Sequence, residues 1–399
     1  MNNSYLTILF ILSLFIGQLQ ISTQNQKNKI QLVPGKIIHH TPASSGVYVG
    51  APSITSTPAG DYFVSLNFTE IQGGDHGNVH KTAIYKSSDK GQTWNFVTNI
   101  ENQRWSTIFV HNGDLYLIGV YQGFGNAVIR KSVDDGKSWT DPVNKENGLL
   151  AEGRYHCAPV PVLKHNGKIW RAMEDAPKGR EFRTFIMYAN INSDLLKADN
   201  WTFSNKLNYD SNWVNGNFRG WLEGNVVLTK EGNIVNILRC SFSDGTHSKA
   251  AIVNYCSESE EISFDPEKDF IRLPGGTKKF TIRFDSISNK YWTLVNWIQP
   301  GDMKYLENGN MRAGRIRNTL ALASSTNLQD WIIERIVLYH PDISYHAFQY
   351  VDWQFENEDI IAVSRTAYED GMGGADNYHN ANFITFHRIK QFRNNFNKE

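Results

Sequence analysis

The sequence is poor in most of what marks a metalloprotein, a disulfide scaffold or a nucleic-acid binder. Only three of its 399 residues are cysteine, namely Cys157, Cys240 and Cys256. Three thiols allow one disulfide at most, none stands in a C-x-x-C pair, and no H-E-x-x-H occurs. Buried thiols are therefore expected, and no cofactor or metal is indicated beyond a loop-propping Ca²⁺ that no motif specifies. There is no charge excess either, with 40 basic residues against 40 acidic ones. A neutral chain lacks the basic face that neutralising phosphates requires, which argues against a nucleic-acid partner. Long stretches of helical periodicity are missing, and no apolar run is long enough to cross a bilayer. The longest, Tyr5 to Ile16, opens the chain and resembles a secretory signal, although no Lys or Arg precedes it. Residues 1–25 are read as a signal peptide and the protein as secreted or periplasmic.

What is abundant is aromatic side chains, 13% of the chain, and turn residues. Two segments repeat: Ser87-Ser88-Asp89-Lys90-Gly91-Gln92-Thr93-Trp94 and Ser132-Val133-Asp134-Asp135-Gly136-Lys137-Ser138-Trp139 share S-x-D-x-G-x-[ST]-W. Asp and Gly make a tight turn, the Ser or Thr hydroxyl bonds nearby backbone, and Trp plugs the adjoining core. Looser versions end at Trp201 and Trp331. Around these landmarks the chain parses into six units of short alternating apolar runs bounded by Gly, Asn or Asp. The last unit has three runs, and the segment Ile30 to His40 supplies its fourth. The expectation is an all-β, six-bladed β-propeller over residues 26–399, one domain, closed by the N-terminal strand so that no sheet edge stays open.

A propeller gathers chemistry at one mouth of its channel, where first strands start and second strands end. Those positions are Ala51, Asn67, Trp105, Tyr121, His156, Glu174, Asp175, Glu223, Arg239, Lys279, Asn296, His346, Arg365 and Tyr368. A Gly-rich loop adds Asp75. Acids, imidazoles, guanidiniums and an ammonium converging in this way suit an anionic ligand.

The paired boxes, the six-unit parse and the placement of Glu223 in WLEGNVVL resemble the sialidase superfamily across the whole chain after the leader. That resemblance implies an Arg triad for a substrate carboxylate, with Arg239 as one member. It also implies a Tyr nucleophile at Tyr345, its Glu partner at Glu223, and an acid at Asp75. The pattern departs from the family at two points. No Arg occurs between Ile30 and Gln103, where the first triad member belongs, and Lys278-Lys279 stands where another Arg is expected. A Lys meets a carboxylate as a point charge rather than a planar fork.

Propellers similar to sialidases also include enzymes that eliminate at uronic acids. That chemistry needs a cation at the carboxylate, a base for the C5 proton and an acid for the leaving oxygen. His156 and His346 suit the base and acid roles; Arg239, Lys279 and Arg365, with Arg154, Tyr368 and His379 nearby, suit substrate binding. The reading from sequence is an exported, monomeric enzyme acting on acidic oligo- or polysaccharide by β-elimination. The alternatives are a retaining exo-glycosidase and a non-catalytic glycan-binding module.

Overall fold

Residues 33–71, 80–307 and 311–394 are described by a computed structural model. The expected leader, Ile30 to Leu32 of the expected closing segment, and Asp75 lie outside the described residues. The alternating apolar runs form six antiparallel sheets. Strand β1 (Lys36–His40) comes first in the chain. The first blade then holds β2 (Val47–Ser56), β3 (Tyr62–Glu70), β4 (Lys81–Ser87) and β5 (Asn95–Glu101), and the second β6 (Gln103–His111), β7 (Asp114–Tyr121), β8 (Ala127–Ser132) and β9 (Leu149–Ala151). The third holds β10 (Tyr155–His156), β11 (Leu163–His165), β12 (Lys168–Asp175), β13 (Arg183–Asn190) and β14 (Trp201–Phe203). Its innermost strand is split because Pro159 and Pro161 have no N–H to give the ladder. The fourth holds β15 (Phe218–Leu228), β16 (Ile234–Phe242), β17 (Lys249–Cys256), β18 (Glu261–Ser263) and β19 (Phe270–Arg272). The fifth holds β20 (Ile282–Asp285), β21 (Lys290–Val295), β22 (Thr319–Ser325) and β23 (Ile332–Tyr339), and the sixth β24 (Ala347–Glu356), β25 (Asp359–Ala367) and β26 (Phe383–Ile389).

Strand β2 packs against both β6 and β24, so the ring closes between the first and last blades. The expected six-bladed propeller is what the chain forms. As expected, the sixth blade takes its outermost strand from the N-terminal side, β1 pairing β26. The two repeated segments build the same turn. Asp89 Oδ1 accepts from the Gln92 and Thr93 N–H groups, and the Ser87 hydroxyl accepts from the Gly91 N–H. Asp134 does the same for Ser138, with Ser132 accepting from Gly136. These bonds hold both carboxyls near 2, below the ordinary range. Gly91 must be glycine, since its φ is +85° and its open face lies against the Phe386 ring.

Four innermost strands share one irregularity. Each carries a β-bulge at which a non-glycine residue adopts positive φ: Ala51 (45°), Trp105 (51°), Glu223 (59°) and Tyr350 (52°). Two residues further on stands a small polar side chain that accepts a backbone N–H from the next blade. Ser53 Oγ takes the N–H of Ile108, Thr107 Oγ1 that of Val160, Asn225 Oδ1 that of Ile282, and Asp352 Oδ2 that of Ile54. The bulge turns one side chain toward the channel mouth while its neighbour ties the blades together.

Two outcomes test this frame. Asn225→Ala leaves the buried Ile282 N–H without its acceptor and should lower unfolding stability by about 1–3 kcal/mol in urea melts. The closing seam should also be acid-sensitive. Burial pushes His39 and His387 down to about 4, with His40 adding to the effect at His39. Between that value and the ordinary one near 6.5, the unfolded chain binds more protons than the folded one. Stability should therefore fall as pH drops through this window. The melting temperature should decline from pH 7 to pH 4.5, and His39→Gln with His387→Gln should flatten the slope.

Candidate functional site

The bulged residues converge. Ala51, Trp105, Glu223 and Tyr350 all border one cavity of about 300 Å³ at the channel mouth. Bulge geometry costs about 1–3 kcal/mol for each non-glycine residue held at positive φ. The wall is strongly basic, with Arg104, Arg180, Arg219, Arg239 and Arg365 facing Glu223, its one acid among the described residues.

On one side stands Tyr350 with guanidiniums around it. The Arg365 guanidinium lies 5.1 Å from the Tyr350 ring and Arg317 5.4 Å from the same ring. Arg365 donates to the His379 carbonyl, and Arg317 to Gln349. Arg239 approaches Glu223 at 3.0 Å as an ion pair whose atoms are not aligned for a hydrogen bond. Burial alone lowers Arg239, but Glu223 and the Tyr350 hydroxyl hold it above its ordinary value. Arg317 moves the other way, lowered by burial and by the neighbouring charges of Arg239 and Arg365. Three guanidiniums held this close repel one another, and an anion between them relieves that repulsion.

Across the ring, in the third blade, His156 Nδ1 lies 2.7 Å from Glu174 Oε1. Glu174 is buried, and the same oxygen accepts the Glu223 N–H at 3.0 Å, which links the third and fourth blades. With Nδ1–H given to the carboxylate, Nε2 is left to accept or deliver a proton. Trp105, Phe124 and Phe182 surround the imidazole at centroid distances of 4.5, 5.5 and 5.0 Å.

Of the residues singled out from sequence, Ala51, Asn67, Trp105, His156, Glu223, Arg239, Arg365 and His379 line this cavity. Arg154 lies just behind it, its guanidinium 5.0 Å from the Phe124 ring. The others sit elsewhere. Tyr345 is 57% exposed and outside the lining, and Tyr350, five residues on, is the tyrosine the bulge turns inward. His346 lies outside this lining, its Nδ1 hydrogen-bonded to Asp342 at 2.6 Å and its Nε2 3.1 Å from Glu369 without hydrogen-bond alignment. Tyr368 packs on that ring rather than on the cavity. Lys279 is buried in the channel below, donating to the Val351 carbonyl at 2.6 Å and to Thr281 at 2.7 Å. Its ammonium is spent there rather than offered at the mouth. Of the cysteines, Cys157 and Cys240 are buried as expected, whereas Cys256 is exposed.

Sequence reasoning missed Tyr350, Arg104, Arg180, Arg219 and Arg317. Tyr350 did leave a signal, because Trp105-Ser-Thr, Glu223-Gly-Asn and Tyr350-Val-Asp all place a small polar or acidic residue two positions after the bulge. For metal, His340, Asp342 and His346 have suitable ligand types within 4.8 Å. The arrangement does not suit one ion. The two imidazoles stack at 3.4 Å, and His340 Nδ1 already accepts the Asp342 N–H, so their lone pairs do not converge.

No protein-family model matches the chain, and no curated protein matches it. Solved structures do share its fold. A protein of unknown function from Dyadobacter fermentans is 12% identical with a TM-score of 0.57, over 90% of this chain and 98% of that one. An α-L-arabinanase from Penicillium chrysogenum, complexed with arabinobiose, is 13% identical with a TM-score of 0.52, again over 90% and 98%. The sialidase of Trypanosoma rangeli, captured as a covalent intermediate with 2,3-difluorosialic acid, is 13% identical with a TM-score of 0.57, over 87% of this chain but 55% of that one. At such identities the likeness establishes the propeller and nothing finer.

The buried channel lysine gives a testable contrast with the cavity. Burial lowers Lys279 to about 8, against the pull of Asp352 and Glu223. An unfolded lysine titrates near 10.4, so between these values the unfolded chain holds more protons and stability should rise with pH. Lys279→Met should remove that part of the rise between pH 8 and pH 10 in thermal melts.

Proposed function

We propose that this protein is an exported carbohydrate-active enzyme that acts on a uronate in an acidic oligo- or polysaccharide by β-elimination. The observation that carries the reading is one cavity with His156, backed by Glu174, on the third blade and Tyr350 with Arg365 on the sixth blade across the ring, Arg317 of the fifth blade standing behind them. A carboxylate among these guanidiniums is neutralised, which acidifies the adjacent C5–H and stabilises the enolate formed when it leaves. The His156 Nε2 takes the C5 proton, the freed electron pair forms the C4–C5 double bond, and the C4–O bond breaks. The leaving oxygen takes a proton from the Tyr350 hydroxyl, which the cavity presents to it. A glycosyl oxygen leaving makes the reaction a lyase step, and water leaving makes it a dehydration. The apolar run at residues 5–16 supports export, and no described helix is long and apolar enough to cross a membrane.

A second reading is favoured by one feature. Arg239 engages both Glu223 and Tyr350, an arrangement in which Tyr350, rather than Tyr345, serves as nucleophile of a retaining glycosidase, with Asp75 as acid. The solved neighbours named as sialidase and arabinanase lend it support.

The two readings part in a single assay. Incubation with uronate-containing oligosaccharides should raise ultraviolet absorbance as the conjugated double bond forms, and His156→Ala should slow this by about 10²- to 10⁴-fold. Products heavier by one water, without absorbance, would replace this reading with hydrolysis, and loss of sialoside cleavage in Tyr350→Phe would then assign the nucleophile. Binding with no product from any acidic glycan would leave a binding module.

A further inference from the structure

We infer that the groove between the first and second blades is a binding site for an uncharged stretch of the same glycan chain whose uronate occupies the cavity. The inference deepens the proposed function and rests on its glycan substrate, not on the mode of cleavage. The groove, of about 800 Å³, lies between β5 and the β8–β9 pair. Its upper end adjoins the channel mouth through one loop: Tyr121 and Asn126 border the groove, and Phe124 between them borders the cavity. Phe124 and Asn126 are two residues apart, so their backbones are separated by about 7 Å at most. From Asn126 the groove follows β8 past Val128 and Arg130 to Trp139, next to Thr140, whose N–H meets the Lys131 carbonyl. That stretch of strand makes the course about 15–20 Å long, room for about four sugar rings.

The groove's charges are paired within the frame. Arg130 is buried, and each of its three nitrogens donates to a neighbour: Nε to Gln103, Nη1 to Asp141 at 2.6 Å and to the Thr140 carbonyl, and Nη2 to the Glu101 carbonyl. Glu101 itself pairs with Lys81 at 3.1 Å. Lys137, on the turn at the lower end, is the remaining charged group of the lining. Such a wall gives an acidic sugar little to hold. What it offers instead is ring surface and amide donors. Trp139 is half-buried against the core between the first two blades and gives its indole N–H to the Gly136 carbonyl, so its ring surface is what remains for a ligand. Tyr121, also half-buried, adds a second ring at the upper end. Asn126 Oδ1 accepts the Gly153 N–H at 3.0 Å, and Asn102 Oδ1 accepts from the Gln122 amide at 3.1 Å. Each carboxamide is thereby oriented through its oxygen, which leaves the NH₂ groups as donors toward the groove. Aromatic rings take the C–H face of an uncharged sugar, and amide donors take its hydroxyls.

Isothermal titration of the full chain carrying His156→Ala, which blocks the proposed elimination, compares chains of two lengths. The probes are a trisaccharide and a heptasaccharide, each with one terminal glucuronate and otherwise neutral sugars, prepared on xylose, arabinose and galactose backbones. Two added hydrogen bonds are worth about a tenfold change in affinity, so on at least one backbone the heptasaccharide should bind at least about tenfold tighter than its trisaccharide. Tyr121→Ala with Asn126→Asp, the latter keeping the acceptor for Gly153, should bring the two lengths to within about threefold, most of the loss falling on the heptasaccharide. Trp139 is left intact because it also packs on the core. Equal affinity for the two lengths on every backbone, or a length preference that survives the double substitution, overturns this inference and leaves the proposed function standing. Tight binding of a heptasaccharide from which the unsubstituted protein forms no unsaturated product overturns the elimination and leaves this inference standing. No binding of any probe overturns both.

Discussion

Four residues held at positive φ in the innermost strands, Ala51, Trp105, Glu223 and Tyr350, set the shape of everything at the channel mouth. A regular strand would send these side chains into the sheet-to-sheet packing. The bulge instead turns them toward the mouth, at an energetic cost offset by the residue two places on. That residue, Ser53, Thr107, Asn225 or Asp352, caps a backbone N–H of the next blade. The strain that shapes the site and the bonds that hold the ring together therefore occupy the same three-residue segments. Loosening one loosens the other.

This coupling explains why the site's charges stay where they are. Glu174 receives both the imidazole of His156 and the N–H of the bulged Glu223, so the third and fourth blades are joined through the acid that orients the imidazole. Arg239 is held above its ordinary value despite burial because Glu223 and Tyr350, both at bulges, stand beside it. A neutral chain thus concentrates cationic groups at one mouth by backbone geometry rather than by composition. The channel below is different in kind: Lys279 and Asp352 are buried there and spent on neighbouring strands, which makes them parts of the frame.

The contrast between Tyr345 and Tyr350 shows where reading from sequence failed. A tyrosine opening the last unit was foreseen, but the first strand of that unit begins only at Ala347, and the bulge between Gln349 and Asp352 selects Tyr350. A one-residue change in register reverses which face a side chain occupies, and no local pattern fixes register at a bulge. His346 failed for another reason. Its strand-start position follows from the sequence, but Asp342, which binds its Nδ1, and Glu369, which stands beside its Nε2, come from the preceding loop and from the loop after β25.

Turns, alternation and closure were written in the chain itself, because S-x-D-x-G-x-[ST]-W, period-two apolar runs and a last unit one strand short are local consequences of backbone chemistry. They determined a six-bladed ring and placed His156, Glu223, Arg239, Arg365 and His379 near one mouth. The folded ring alone decided that Arg104, Arg180 and Arg219 join them, that Arg317 stands behind Tyr350, and that Lys279 does not reach the cavity. Those groupings bring together side chains from five blades. Their distances are set by how the sheets pack around the channel, which no stretch of neighbouring residues encodes.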